Sequence, residues 1–290
     1  MFVFKAAVVG AGVMGGEIAQ VIASAGIPVV LKDVDQKFVD AGLKKAREVT
    51  SGQVAKLVKK GKLSEADAQA QAERTLSLIE PTTSYDAFGD VDFVIEAVPE
   101  KMEIKHAVFA ELDAATPGHA ILASNTSGLS ITEIGDATNR PDKVVGFHFF
   151  WPASRMRLIE IIEGDDTSPE TAQAAANFAQ ALRKVAIRCE ECPGFVVNRI
   201  LLSTASEVWR YQDESGASIE EIDELVRERV QMPMGPFRVA DMSGLDTTVR
   251  VAQDLRDAYG DRFYVHRGME SLVEDGNLGA KSGKGFYEHR

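Results

Sequence analysis

A short, mostly apolar run from Phe2 to Val9 leads into Gly10-Ala-Gly12-Val13-Met14-Gly15. Beyond it Ile18, Val21, Ile22 and Ala25 recur at helical spacing as far as Gly26. The pattern reads as strand, glycine turn, helix. A second apolar run over 27–31 then meets Asp33, completing a βαβ unit of the size a parallel sheet requires. From Lys37 to about Glu73 the chain is helical in character, interrupted only by Gly42, Gly52 and Gly61. That is long for a crossover, and an inserted helical pair over about 37–75 is expected. Further strands are expected at 91–97, 120–123, 144–150, 156–162 and 184–189. Helices are expected at about 103–114 and after Ser168-Pro169, where serine followed by proline suits a helix start.

Beyond Pro193-Gly194 the pattern turns wholly helical, at about 195–214, 218–230, 235–242 and 245–259, with capping-box spacing between Ser218 and Glu221. The fold class that follows is α/β, with an α/β domain over 1–192 and a smaller all-helical C-terminal domain over 193–290.

Composition narrows the partners. The chain has 290 residues, 45% hydrophobic and 26% charged, enough for two unequal domains with proper cores. A net charge of −12 argues against non-specific binding to nucleic acid or anionic lipid, so a small-molecule partner is expected. No apolar stretch approaches the ~20 residues that cross a bilayer. The N-terminal run lacks the basic segment of a signal peptide. Two cysteines, Cys189 and Cys192, cannot build a disulfide framework. A cytoplasmic location is therefore expected. Their C-x-x-C spacing is isolated from any second ligand pair, and no metal is expected. Against this acidic background, residues 37–62 carry eight basic residues and two acidic ones. Such a run is a solvated helix face or a clamp for an anionic ligand.

The glycine turn gains force from its setting, since it follows a strand, opens a helix and precedes an acid at the end of the next strand. Gly10 permits the tight turn, Gly12 lets backbone amides approach a pyrophosphate, and Gly15 lets helix pack on strand. The helix start adds partial positive charge. Asp33 is placed to accept hydrogen bonds from the adenosine ribose and to repel a 2′-phosphate, which favours NAD over NADP. Lys32 beside it and Asp35 beyond it leave the ribose ligand open. The α/β domain is thus a Rossmann-type, NAD-binding one.

A second candidate group lies later. If the strands at 144–150 and 156–162 fold back about position 154, His148 falls opposite Glu160. A carboxylate there fixes the imidazole's orientation and tautomer and stabilises the imidazolium formed on proton abstraction. The same pairing also serves as a structural contact. His106, His119, His266 and His289 are expected to be solvated.

Together these motifs resemble the L-3-hydroxyacyl-CoA dehydrogenase family, including the dehydrogenase part of multifunctional fatty-acid oxidation enzymes. The resemblance spans nearly the whole chain: the Gly10–Gly15 turn, Val94-Ile-Glu-Ala-Val98, Ala123-Ser-Asn-Thr-Ser127, Gly146-Phe-His-Phe-Phe150, Leu158-Ile-Glu-Ile-Ile162, Pro193-Gly-Phe-Val-Val-Asn-Arg199, Met232-Pro-Met-Gly-Pro236, Gly244-Leu-Asp246 and Lys281-Ser-Gly-Lys-Gly-Phe-Tyr287. It implies His148 as base with Glu160 as its partner, and Ser127 and Asn198 on the substrate's reacting oxygens. Glu100, Lys105 and Asn125 would line the nicotinamide side. It further implies oxidation of an L-3-hydroxyacyl-CoA thioester, a homodimer formed through the helical domain, and coenzyme A as the anion beside the basic insert, with Lys56, Lys59 and Lys60 as candidates.

Two departures from the family pattern stand out. Trp151 occupies a position where asparagine is usual, either entering acyl space or packing beneath the turn. Glu17, where a small residue is usual, brings an acid near the cofactor phosphates or points to solvent. Rival readings are a dehydrogenase of a hydroxy acid not linked to coenzyme A, resembling L-gulonate or carnitine dehydrogenases, and a catalytically silent NAD-binding protein.

Overall fold

The computed structural model describes residues 2–289 and divides the chain into two compact units, Met1–Glu191 and Cys192–Arg290. The first is built on one eight-stranded sheet of order β3-β2-β1-β4-β5-β6-β7-β8. Its strands are β1 (Ala6–Val9), β2 (Val29–Lys32), β3 (Ile79–Thr82), β4 (Phe93–Glu96), β5 (Ile121–Ser124), β6 (Val144–Phe149), β7 (Leu158–Glu163) and β8 (Val185–Glu190). Every neighbouring pair is parallel except β6 and β7, which are antiparallel. The helices are α1 (Val13–Ser24), α2 (Gln36–Lys59), α3 (Glu65–Ser77), α4 (Met102–Ala115), the short α5 (Ile131–Gly135) and α6 (Pro169–Ala181). Strand order reverses around β1 and β4, and in such sheets ligands bind outside the carboxyl ends of the strands at that reversal.

Burial explains the apolar runs. β1, β2 and β4 are buried at every position, as strands covered on both faces must be, so they read as continuous hydrophobic stretches. Phe93, Phe147 and Phe178 meet at ring-centroid distances of 4.6 to 5.8 Å within this core. Two strands depart from the pattern expected of them. β1 begins at Ala6, not Phe2, because the Asp92 carboxylate accepts the N–H groups of Phe4 and Lys5 at 2.7 and 3.2 Å and ends the ladder there. β3 was not foreseen. It is an edge strand, where Pro81 can sit without breaking a ladder on both sides.

The insert is a helical pair. α2 crosses α1 at Gly16 and Gly42, where a Cβ on Gly16 would lie 2.6 Å from the Gly42 carbonyl oxygen. Asp35 caps α2 by accepting the Lys37 N–H at 2.9 Å.

The second unit contains α7 (Val197–Ser215), α8 (Ile219–Arg229), α9 (Pro236–Ser243), α10 (Leu245–Tyr259) and α11 (Arg267–Glu274) around its own core of Trp209, Phe237, Leu245, Val249 and Met269. Ser218 caps α8 by accepting the Glu221 N–H at 3.3 Å. α11 escaped the sequence reading, and with it the role of His266. That ring is buried, accepts the Met269 N–H at 3.0 Å as the helix cap, and meets Gln212 Oε1 at 2.7 Å. His289 lies 2.8 Å from the buried carboxylate of Asp241. Neither is the solvated residue expected, because each satisfies a polar group that the packing encloses. No helix among the described residues is long and apolar enough to cross a membrane.

Candidate active site

The glycine turn, Asp33, Glu100, Asn125, Ser127 and His148 stand at or just beyond the carboxyl ends of β1, β2, β4, β5 and β6, while Glu160 lies on β7, Lys105 on α4 and Lys56, Lys59 and Lys60 at the end of α2. At the end of β1 the three glycines of the turn differ in what they require. Gly10 has φ +100° and Gly15 packs so tightly that a Cβ would meet the Gly10 carbonyl. A Cβ on Gly12 would have no protein atom within 4 Å. Its smallness answers to something outside the polypeptide. No side chain caps α1, and its first turn holds no acid, so its amides suit a pyrophosphate. Val13 is exposed and Met14 half-buried beside them. Asp33 follows β2 directly and accepts the N–H groups of Ala11 and Val34, each at 2.7 Å, so its carboxylate stands against the glycine turn. Lys32 is turned away, its ammonium 3.9 Å from the centre of the Tyr85 ring, and Asp35 is engaged as a cap.

Beyond β4, β5 and β6 a continuous polar network forms. β6 and β7 pair with His148 opposite Glu160, and His148 Nδ1 lies 2.8 Å from Glu160 Oε2. Its other ring nitrogen, Nε2, lies 3.1 Å from Ser127 Oγ. The Ser127 N–H and the Thr126 hydroxyl both donate to Glu100 Oε1, at 2.8 and 2.6 Å. Lys105 donates to Glu96 at 2.8 and 2.9 Å and pairs with Glu100 at 3.2 Å. Ser124 donates to Glu96 at 2.6 Å. Burial pushes the Glu100 carboxyl up, but the Lys105 ammonium and the bonds from Thr126 and Ser127 outweigh it and hold the group below the usual carboxylate range. Asn125 accepts the Phe149 N–H at 2.8 Å and so ties the ends of β5 and β6 together.

Lys105 is only 1% exposed. It faces Glu96 and Glu100 rather than open space, and what it presents at the strand ends is the Glu100 carboxylate. Glu96, Ser124 and Thr126 were given no role from sequence, although all three fall inside motifs that drew notice. Glu17 is 2% exposed, not solvated: it pairs with Lys45 at 3.3 Å and accepts the Ser154 N–H and hydroxyl, each at 3.1 Å. With Lys184, which donates to the Ala153 and Met156 carbonyls at 2.5 and 2.7 Å, it holds the loop between β6 and β7. The Trp151 indole on that loop is 47% exposed, so it does not pack beneath the turn. Lys56, Lys59 and Lys60 are exposed at the end of α2. Asn198 belongs to the second unit, half-buried in the first turn of α7. Among the described residues no group of three His, Cys, Asp or Glu side chains is arranged to hold a metal ion.

A family model described as the NAD binding domain of 3-hydroxyacyl-CoA dehydrogenase matches residues 5–192, and the model of that enzyme's C-terminal domain matches residues 194–289. The chain belongs to the 3-hydroxyacyl-CoA dehydrogenase family. It is an oxidoreductase whose first domain binds NAD, and the open cradle at Gly12 and the carboxylate of Asp33 fit that cofactor. A 3-hydroxybutyryl-CoA dehydrogenase of Clostridioides difficile is 41% identical, over 98% of this chain and 99% of the relative. The fatty acid oxidation complex subunit alpha of a Psychrobacter species is 39% identical, but this chain spans only 38% of its length. Among solved structures, the (S)-3-hydroxybutyryl-CoA dehydrogenase of Ralstonia eutropha is 36% identical with a TM-score of 0.89, each chain covering all of the other.

Proposed function

We propose that this enzyme oxidises the 3-hydroxyl of an L-3-hydroxyacyl-CoA thioester reversibly to the 3-ketoacyl thioester, with His148 as general base. One observation carries the reading: the imidazole is held between a buried carboxylate on one nitrogen and the Ser127 hydroxyl on the other. NAD, when bound, supplies the acceptor for the hydride that leaves C3. Glu160 fixes the His148 tautomer with Nδ1 as donor, which leaves Nε2 to take the proton from the substrate hydroxyl, and it stabilises the imidazolium that results. Ser127 shares that hydroxyl and orients it. Asn198 is assigned the contact with the substrate carbonyl that the family resemblance implies. Glu100 and Asn125 border the nicotinamide. Lys105 positions Glu100 from behind.

Gly10, Gly12, Val13, Met14 and Gly15 hold the pyrophosphate, and Asp33 the adenosine ribose. Lys56, Lys59 and Lys60 meet phosphates of coenzyme A, as clustered exposed cations can. A cytoplasmic location and a homodimer belong to the same proposal. Ile200, Leu201, Tyr211, Leu225 and Val230 expose apolar side chains on the second unit, the surface expected of a subunit interface.

The test follows NADH absorbance with acetoacetyl-CoA, beside free 3-keto acids. The native enzyme is expected to turn over the thioester, and His148→Ala to lose roughly 10²–10⁴-fold in kcat, the usual worth of a positioned base. Full activity in His148→Ala, or turnover of free acids alone, overturns the proposal.

A further inference from the structure

The network at the strand ends holds more acid than its lysine needs. Lys105 is buried, and a buried ammonium left without a carboxylate is strongly destabilising. One carboxylate would serve, yet two meet it. Glu96 receives its hydrogen bonds on both oxygens, at 2.8 and 2.9 Å, whereas the Glu100 oxygen stands further off, at 3.2 Å. Two carboxylates against one ammonium leave one negative charge over.

The fold decides where that charge faces. Glu96 is the last residue of β4, between Val9 of β1 and Ser124 of β5, at the reversal of strand order. It is fixed there, because its oxygens also accept the Val98 N–H at 2.7 Å and the Ser124 hydroxyl at 2.6 Å. The Glu96 side chain is 0% exposed, that of Lys105 1% and that of Glu100 21%. Glu96 and Lys105 thus form an enclosed pair, and the surplus charge faces outward on Glu100. The Glu100 carboxylate is itself held by the Thr126 hydroxyl and the Ser127 N–H, and Thr126 Oγ1 accepts the Leu129 N–H at 2.9 Å. Its carboxyl lies below the usual carboxylate range, so the charge is present at neutral pH.

We infer that Glu96 is a positioning residue for the redox state of the cofactor: by committing the Lys105 ammonium to itself, it leaves Glu100 a full negative charge that raises affinity for oxidised over reduced NAD. The inference rests on the placement of Glu100 beside the nicotinamide proposed above. The oxidised ring carries a positive charge that the incoming hydride cancels, so a fixed carboxylate separates the two states by charge alone. Burial strengthens the effect, since little water screens the charges behind Glu100. Without the Glu96 charge, Lys105 would pair with Glu100 alone. The network would then be neutral, and the distinction between the two forms would fade.

The test compares dissociation constants for NAD⁺, by calorimetry, and for NADH, by fluorescence titration, in the native protein and three variants. Glu96→Gln keeps the side chain's shape and removes its charge. The ratio of Kd for NAD⁺ to Kd for NADH is expected to rise roughly tenfold, and Glu100→Gln should raise it by a similar factor. Glu96→Gln/Lys105→Met removes one charge of each sign and leaves Glu100 ionised, so the native ratio is expected to return. A merely structural role for Glu96 would weaken both forms together, and an unchanged ratio in Glu96→Gln overturns the inference. A ratio in the double variant unlike the native one overturns it too, and this measurement decides the matter if Glu96→Gln alone does not fold. An unchanged ratio in Glu100→Gln overturns the placement of Glu100 at the nicotinamide, and the inference with it.

Discussion

Gly12 and Gly15 stand three residues apart in one turn and are glycine for different reasons, one for a ligand and one for the fold. The difference predicts opposite phenotypes. Gly12→Ala should change stability by less than about 1 kcal/mol and raise the KM for NADH roughly tenfold. Gly15→Ala, whose methyl would overlap the Gly10 carbonyl, should lower the urea midpoint instead, as overpacking does by about 1–3 kcal/mol. Equal stability of the two variants would sink the distinction. Both glycines were legible in the sequence, because a fingerprint of this kind is local. Lys105 was legible only in part. Its place at the start of an i, i+4, i+7 series with the buried Phe109 and Leu112 announces an inward-facing side chain, but the two carboxylates that meet it come from β4 and the loop beyond.

At the scale of elements, the loop between β6 and β7 shows how a charge placed in a helix can govern a distant segment. Glu17, on the inner face of α1, holds Ser154 by both its N–H and its hydroxyl and pairs with Lys45 of α2. Glu17→Gln leaves that ammonium without its partner and weakens the bonds to Ser154. It should cost about 1–3 kcal/mol, read from urea unfolding. An unaltered urea midpoint would show that the clamp is idle. The sequence pointed to the register of these two strands, since His148 and Glu160 are equidistant from the turn. For Glu17 it offered only the cofactor phosphates or solvent, because nothing near it in the chain is its partner.

At the scale of the molecule, each unit has its own aromatic core and one of the two tryptophans, Trp151 exposed in the first and Trp209 buried in the second. This allows the second unit to be watched alone. Burial pushes His266 below its ordinary value of 6.5, more than the Asp213 and Glu270 carboxylates raise it. The unfolded chain then binds the additional proton as pH falls through that range. Stability from this group is complete above about 6.5 and is lost as pH drops toward the depressed native value. In a Trp151→Phe background, Trp209 emission should therefore report a lower urea midpoint at pH 5.5 than at pH 7.5, and His266→Gln should narrow the difference. Identical midpoints would contradict it.

The sequence by itself determined the alternation of strands and helices, the glycine turn with its acid, the change to a helical second unit and the facing of His148 and Glu160, because periodicity and turn spacing act between near neighbours. Only the tertiary structure decided that Glu96 and Lys105 are buried behind Glu100, that Glu17 is a clamp and that His266 is a cap. In those cases the partners lie far apart along the chain, and the electrostatic and packing energies that join them depend on distance in space.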